Sequence, residues 1–264
     1  MDRHTPLRHE VRWDLLSAPE LNAAALERSV VMIPLGATEQ HGHHLPTLVD
    51  WRLALEVCLR TAQKMPAPWR GLVTPAIPFG MSEHHMSLGG TITLDYATMA
   101  AVIGCTVKSV ARHGFRRIFV LNGHGGNIAA LETIITELTI ETGLPLAGGT
   151  YWKIAAEPMR RILQQQDTVQ HACEAETSMI QALQPDTVGL IDPTWNVSPG
   201  TGLGAIPGAH PGIYRWQRVE TRSPLGFIGM PGAASAEKGE ALFEAVSDEV
   251  ARALADDVLW DTPS

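Results

Sequence analysis

A chain of 264 residues, 45% hydrophobic and 18% charged, is long enough to bury a substantial core and reads as one globular domain over 1–264. Its formal net charge of -8 argues against a nucleic-acid partner, and no apolar run approaches the length of a bilayer span. The opening Met1 to Pro6 lacks the apolar core of a signal peptide, and three dispersed cysteines make no disulfide framework, so a reducing, cytoplasmic setting is expected.

Ser17-Ala18-Pro19-Glu20-Leu21 opens like a helix with proline in its first turn. Residues 29–35, apolar and rich in β-branched side chains, predict a buried strand that enters a glycine turn at Gly36. A helix is expected over 50–64, with Asp50 in the N-cap position and Pro66 beyond its end. The run 72–78 is apolar but carries Pro75 and Pro78, which suits an edge strand or a strand end. Residues 79–91 read as a loop, and Asp95 caps a helix of about 95–113 stopped by Gly114. Cys58 and Cys105 fall in apolar helical patterns and read as small core residues.

Arg117 to Leu121 is the clearest strand, and it runs directly into Asn122-Gly123-His124-Gly125-Gly126-Asn127. Asn127 can cap a helix of 128–142; a short strand near 146–151 and helices near 157–166 and 174–183 follow. Residues 193–232 are rich in Gly and Pro, as a functional loop or an oligomer contact would be. An amphipathic helix of about 234–257 closes the pattern. Alternating strands and helices predict an α/β domain with a mostly parallel sheet, whose ligands collect outside the carboxyl ends of the strands.

Two polar clusters follow strands directly. Glu39 and His41 stand two apart and project to one side of an extended backbone, with Asp50 close behind and His124 after the second strand. Such oxygen and nitrogen donors suit a divalent zinc, manganese or iron ion. The surrounding Gly36, Gly42, Gly123, Gly125 and Gly126 allow close approach of backbone to a ligand. A third segment, His171 to Ser178, adds an imidazole and two carboxylates. On a helix 171 and 174 share a face while 174 and 176 point apart, so one glutamate is a ligand or base and the other surface; Glu174 is expected to be the exposed one. His171 is a candidate proton shuttle. Glu83, His84 and His85, in a glycine-flanked loop, either reach substrate or form a solvated loop, and the amides around Gly125, Gly126 and Asn127 can face a developing oxyanion.

The sequence resembles the creatininase (creatinine amidohydrolase) family. The resemblance rests on Gly36-Ala37-Thr38-Glu39-Gln40-His41-Gly42-His43-His44-Leu45-Pro46 with Asp50, on Asn122 to Asn127, and on His171 with Glu176-Thr177-Ser178; Gly89-Gly90-Thr91 and Gly229 to Gly232 agree more weakly. It implies a three-layer α/β/α sandwich, two divalent metals with a bridging water, and a homo-oligomer, often a hexamer. Position by position it places one metal on Glu39, Asp50 and His124 and the other on His41 and Asp50, with Asp50 bridging. Members that open creatinine carry a glutamate where this chain has Gly126, and Glu176 is the best substitute as the remaining ligand. The implied activity is hydrolysis of a C–N bond in a small cyclic amide by a metal-activated water. Two alternatives keep the fold. One uses the same site to cleave either a C–C bond of a cyclic keto-polyol or the amide bond of a formamide or modified peptide; the other is catalytically silent.

Overall fold

The computed structural model describes residues 10–197 and 213–261. Gly200, Gly202, Gly204, Gly208 and Gly212 of the glycine-rich stretch lie outside the described residues.

The apolar run Ser29–Leu35 forms β1 and is buried along its whole length, as a strand covered on both faces must be. It pairs in parallel with β2 (Arg70–Val73) on one side and β3 (Arg117–Asn122) on the other, and β4 (Ala147–Thr150) completes the order β2-β1-β3-β4. β2 ends before Pro75 and Pro78, which have no N–H for a ladder, and it occupies an edge.

Strand alternation sorts the core into two halves. Val30, Met32, Phe119 and Leu121 face a layer built from α2 (Val49–Lys64), α5 (Tyr151–Ile154), α6 (Ala156–Ile162), α7 (Glu174–Leu183) and α8 (Ala236–Leu254). Val31, Ile33, Ile118 and Val120 face the opposite layer of α1 (Ala18–Ala25), α3 (Tyr96–Arg112) and α4 (Ile128–Thr142). The architecture is the expected α/β/α sandwich. Local signals set several boundaries: Asp95 accepts from Thr98 N at 2.7 Å, Ser17 and Glu20 form a capping box, and Gly143 closes α4 at φ 64°.

Several details differ from the sequence reading. Leu48, not Asp50, is the N-cap of α2, so Asp50 sits inside the first turn with its carboxylate free for the histidines. Helix α6 stops at Ile162 because the amides of Gln164 and Gln165 turn away to donate to Glu174, each at 2.9 Å. Glu174 is therefore not surface: it is fully buried and paired with Lys238. Helix α7 begins at Glu174, so His171 shares no helix face with it and is held instead by an antiparallel bridge to Ile228. Glu174 and Glu176 do point apart. Cys58 is buried, but Cys105 lies exposed on the outer face of α3.

Two glycines bring α2 onto the strand ends. A Cβ on Gly36 would lie 2.3 Å from Trp51 N, and one on Gly123 would lie 2.5 Å from the Asp50 carbonyl oxygen. With hydrogen there instead, the first turn of α2 docks on the ends of β1 and β3 and delivers Asp50 beside both polar clusters.

Candidate metal centre

The connection from β1 to α2 supplies Glu39 and His41, the first turn of α2 supplies Asp50, the end of β3 supplies His124, and α7 supplies Glu176. All five are buried. Nε2 of His124 donates to the Met81 carbonyl at 3.1 Å, which leaves Nδ1 as a bare acceptor 2.9 Å from Asp50 Oδ2 and 3.2 Å from Glu39 Oε1. His41 repeats the device. Its Nδ1 donates to the Glu39 carbonyl at 3.1 Å, and Nε2 faces Asp50 Oδ1 at 3.1 Å and Glu176 Oε1 at 3.9 Å. A backbone partner on one ring nitrogen fixes the tautomer and aims the other, as second-shell contacts do in metal sites.

The result is a buried set of acceptors facing acceptors. Glu39 Oε2 and Asp50 Oδ2 have no hydrogen-bond donor, nor does Nε2 of His41, His84 or His85 find a hydrogen-bond partner. Unpaired buried carboxylates are costly, and positive charge between them removes that cost. Donor atoms of three groups fall within 4.8 Å of one another: His41, Asp50 and Glu176; Glu39, His84 and His124; and Glu39, His41 and His171. The donor set fits divalent cations of the zinc, manganese or iron kind.

Without cations, protons take their place. Burial disfavours charge on His41, but Asp50, Glu176 and Glu39 outweigh it and push the pKa up to about 9. His124 is raised in the same way by Glu39 and Asp50 against burial. Burial also pushes Glu176 up to about 7 and raises Glu39. Asp50 is lowered, because His41 and His124 overcome the effect of burial. His171 is held well below the usual histidine range by burial and by the neighbouring His41, and stays neutral.

His171 lies at the edge of this group, its Nδ1 3.6 Å from Glu39 Oε1 and its Nε2 donating to the Gln40 carbonyl at 2.8 Å. A cavity of about 390 Å³ opens over Glu39, Asp50, His124, His171 and Glu176, with Trp152 and Lys153 among its walls. A second, of about 730 Å³, adjoins it at Gly125 and Ile128 and is lined by Glu83, His84, Gly126, Tyr96, Tyr214 and Trp216. Glu83 is exposed there and takes no part in the donor groups. Asn127 lines neither cavity. Its side chain accepts from Met81 N at 2.9 Å and donates to the Gly36 carbonyl at 3.1 Å, so it holds the loop rather than facing a ligand.

Gln40 escaped the sequence reading of the site, and His85 entered it only as part of a loop that reaches substrate or solvent. The Gln40 side-chain nitrogen stands 2.7 Å from His85 Nδ1 and 3.1 Å from the Gly226 carbonyl, tying three loops together. His85 then turns Nε2 to within 3.2 Å of Glu39 Oε1. The placement of Gln40 inside the first motif was visible in the sequence, but its partners at His85 and Gly226 are far away in the chain.

Comparison with known proteins agrees with this picture. The profile of the creatininase family (creatinine amidohydrolase) matches residues 14–254. A creatinine amidohydrolase of Pseudomonas putida is 30% identical over 85% of this chain and 88% of its own length. A mycofactocin precursor peptide peptidase of Mycolicibacterium smegmatis is 31% identical over 81% of this chain and 79% of its own. A solved structure described as "Creatininase Mn" superposes with a TM-score of 0.76 at 27% identity, covering 94% of this chain and 98% of that one.

Proposed function

From the fact that this chain belongs to the creatininase family of hydrolases, we propose that it is a two-metal amidohydrolase cleaving a C–N bond of a small cyclic substrate. The observation that carries the reading is Asp50, whose two oxygens face two different bare imidazole nitrogens, at 3.1 Å from His41 and 2.9 Å from His124. A carboxylate so divided suits a bridge between two cations. Glu39 and His124 would hold one ion with Asp50, and His41 and Glu176 the other. Bound there, the ions supply a clamp on a carbonyl oxygen and a water of lowered pKa.

The protein's own groups do the rest. His171 keeps Nε2–H on the Gln40 carbonyl, so Nδ1 is the atom that takes a proton from the attacking water and returns it to the leaving nitrogen. Its neutrality at physiological pH suits the first half of that task. Glu176 lines the same cavity as the second candidate for the catalytic step. Trp152 offers an apolar wall, and backbone amides at Gly125 and Gly126 border the same opening. A homo-oligomer, a hexamer by resemblance, belongs to this proposal.

A second reading, cleavage of an amide in a modified peptide, draws support from the peptidase relative and from the larger aromatic-lined groove beside the first cavity. Metal content per chain, measured on protein purified without chelator, tests the shared premise together with a panel of cyclic amides and peptides read by amine release. About two ions per chain, fewer in Glu39→Ala, and amine from a cyclic amide support the main proposal. Amine from peptides alone supports the second. No retained metal, with the variant indistinguishable, overturns both.

A further inference from the structure

We infer that His84 is a ligand of the cation held by Glu39 and His124, and that it biases that position towards zinc or iron over manganese. The inference rests on the two-metal reading above and adds a residue to it. Nε2 of His84 is buried and has no hydrogen-bond partner, although the residue stands on a 3₁₀ turn and lines the groove. One of its ring nitrogens lies within 4.8 Å of a donor atom on each of Glu39 and His124. The rings of His84 and His124 are neighbours, with centroids 5.6 Å apart and planes 17° from parallel.

Gly126 makes this placement possible. A Cβ there would meet the Met81 carbonyl oxygen at 2.3 Å, His124 Nε2 at 2.5 Å and His84 Cε1 at 2.8 Å. The imidazole of His84 therefore uses space that any side chain at 126 would claim. Its position also has a directional effect. His84 lines the groove, whereas Glu39, Asp50, His124 and His171 line the smaller cavity. Holding an ion from the groove side, His84 would leave the smaller cavity beside His171 free for substrate. Two imidazoles with two carboxylates make a more nitrogen-rich set than a carboxylate-dominated one, and imidazole suits zinc, iron or copper where oxygen donors suit manganese or magnesium.

The test uses full-length protein stripped of metal and titrated with Zn²⁺, Mn²⁺ and Co²⁺, comparing wild type with His84→Ala and His84→Cys. Expected for His84→Ala is a loss of at least about tenfold in Zn²⁺ affinity at one of two sites, with Mn²⁺ affinity changed much less. In the Co²⁺-loaded form of His84→Cys, an intense near-ultraviolet thiolate-to-cobalt band absent from wild type is expected, and it reports ligation at position 84 directly. If wild type binds two ions and His84→Ala binds both with unchanged Zn²⁺ and Mn²⁺ affinities, and His84→Cys shows no new band, the inference is overturned while the two-metal reading stands. If wild type itself binds no metal, that reading fails first. Thermal melting of the stripped variants separates loss of a ligand from loss of fold.

Discussion

Oδ2 of Asp50 lies 2.9 Å from Nδ1 of His124, whose other nitrogen donates to the Met81 carbonyl. The same carboxylate meets His41 with its second oxygen. Asp50→Ala should therefore remove most of both metals rather than one, and Asp50→Asn should keep the shape with much weaker binding. Elemental analysis of purified variants decides this; a full complement of metal in Asp50→Ala would remove the bridging role.

His171 should separate chemistry from metal binding. With Nε2 fixed on the Gln40 carbonyl, the loss of Nδ1 in His171→Ala is expected to lower kcat by about 10²–10⁴-fold while leaving metal content near that of wild type. Steady-state kinetics across pH, on whichever substrate the panel yields, should also lose the limb set by this group. If kcat holds within a few-fold, the proton passes elsewhere, and Glu176 is the next residue to test.

In metal-free protein, His41 keeps its proton up to about pH 9. That folded pKa exceeds the value of about 6.5 for an unfolded histidine, so its stabilisation is complete below that lower value and is lost as the pH rises through the folded one. Metal displaces the proton. The melting temperature of the stripped protein should fall across that interval, while that of the loaded protein should not. Metal binding near pH 8 should release protons, visible as a dependence of the calorimetric enthalpy on the ionisation enthalpy of the buffer. Proton release of zero would mean that His41 is not a ligand.

Glu174 is a structural anchor despite standing next to the catalytic candidates. It is buried, takes the amides of Gln164 and Gln165, and pairs with a Lys238 whose side chain is only 7% exposed. Removing one member of a buried pair costs about 3–5 kcal/mol. Glu174→Gln should therefore lower the unfolding free energy by about that amount in denaturant titration, with metal content per folded chain unchanged. A shift under about 1 kcal/mol would show that the pair is dispensable.

The sheet was legible because β1 and β3 are apolar and end in glycine turns, and because caps such as Asp95 announce their helices. Glu39, His41, Asp50 and His124 were legible because each stands at a strand end or on the first turn after one. What escaped depends on contacts between distant segments. Nothing in the sequence around Glu174 shows that Lys238 will reach it, so an acidic residue beside a second one read as surface. Glu83 and His84 looked equivalent in their loop, yet the 3₁₀ turn exposes one and buries the ring nitrogen of the other. Asn127 was placed correctly at the start of α4, but its amide was already committed to Gly36 and Met81.

Helix α8 has a bearing on when the protein becomes competent. Its Leu242 and Phe243 share a core with Met179 and Ile180 of α7, and Lys238 anchors the first turn of α7 through Glu174. Glu176 rides on that same turn. On the ribosome, Glu39, His41, Asp50 and His124 emerge first, but the segment that fixes Glu176 follows them by several seconds at about 5–20 residues per second. On the two-ion proposal, the donors of one position would be made before α8, whereas the position of His41 and Glu176 would wait for it. On that proposal, the second position would therefore be completed only once α8 has packed against α7.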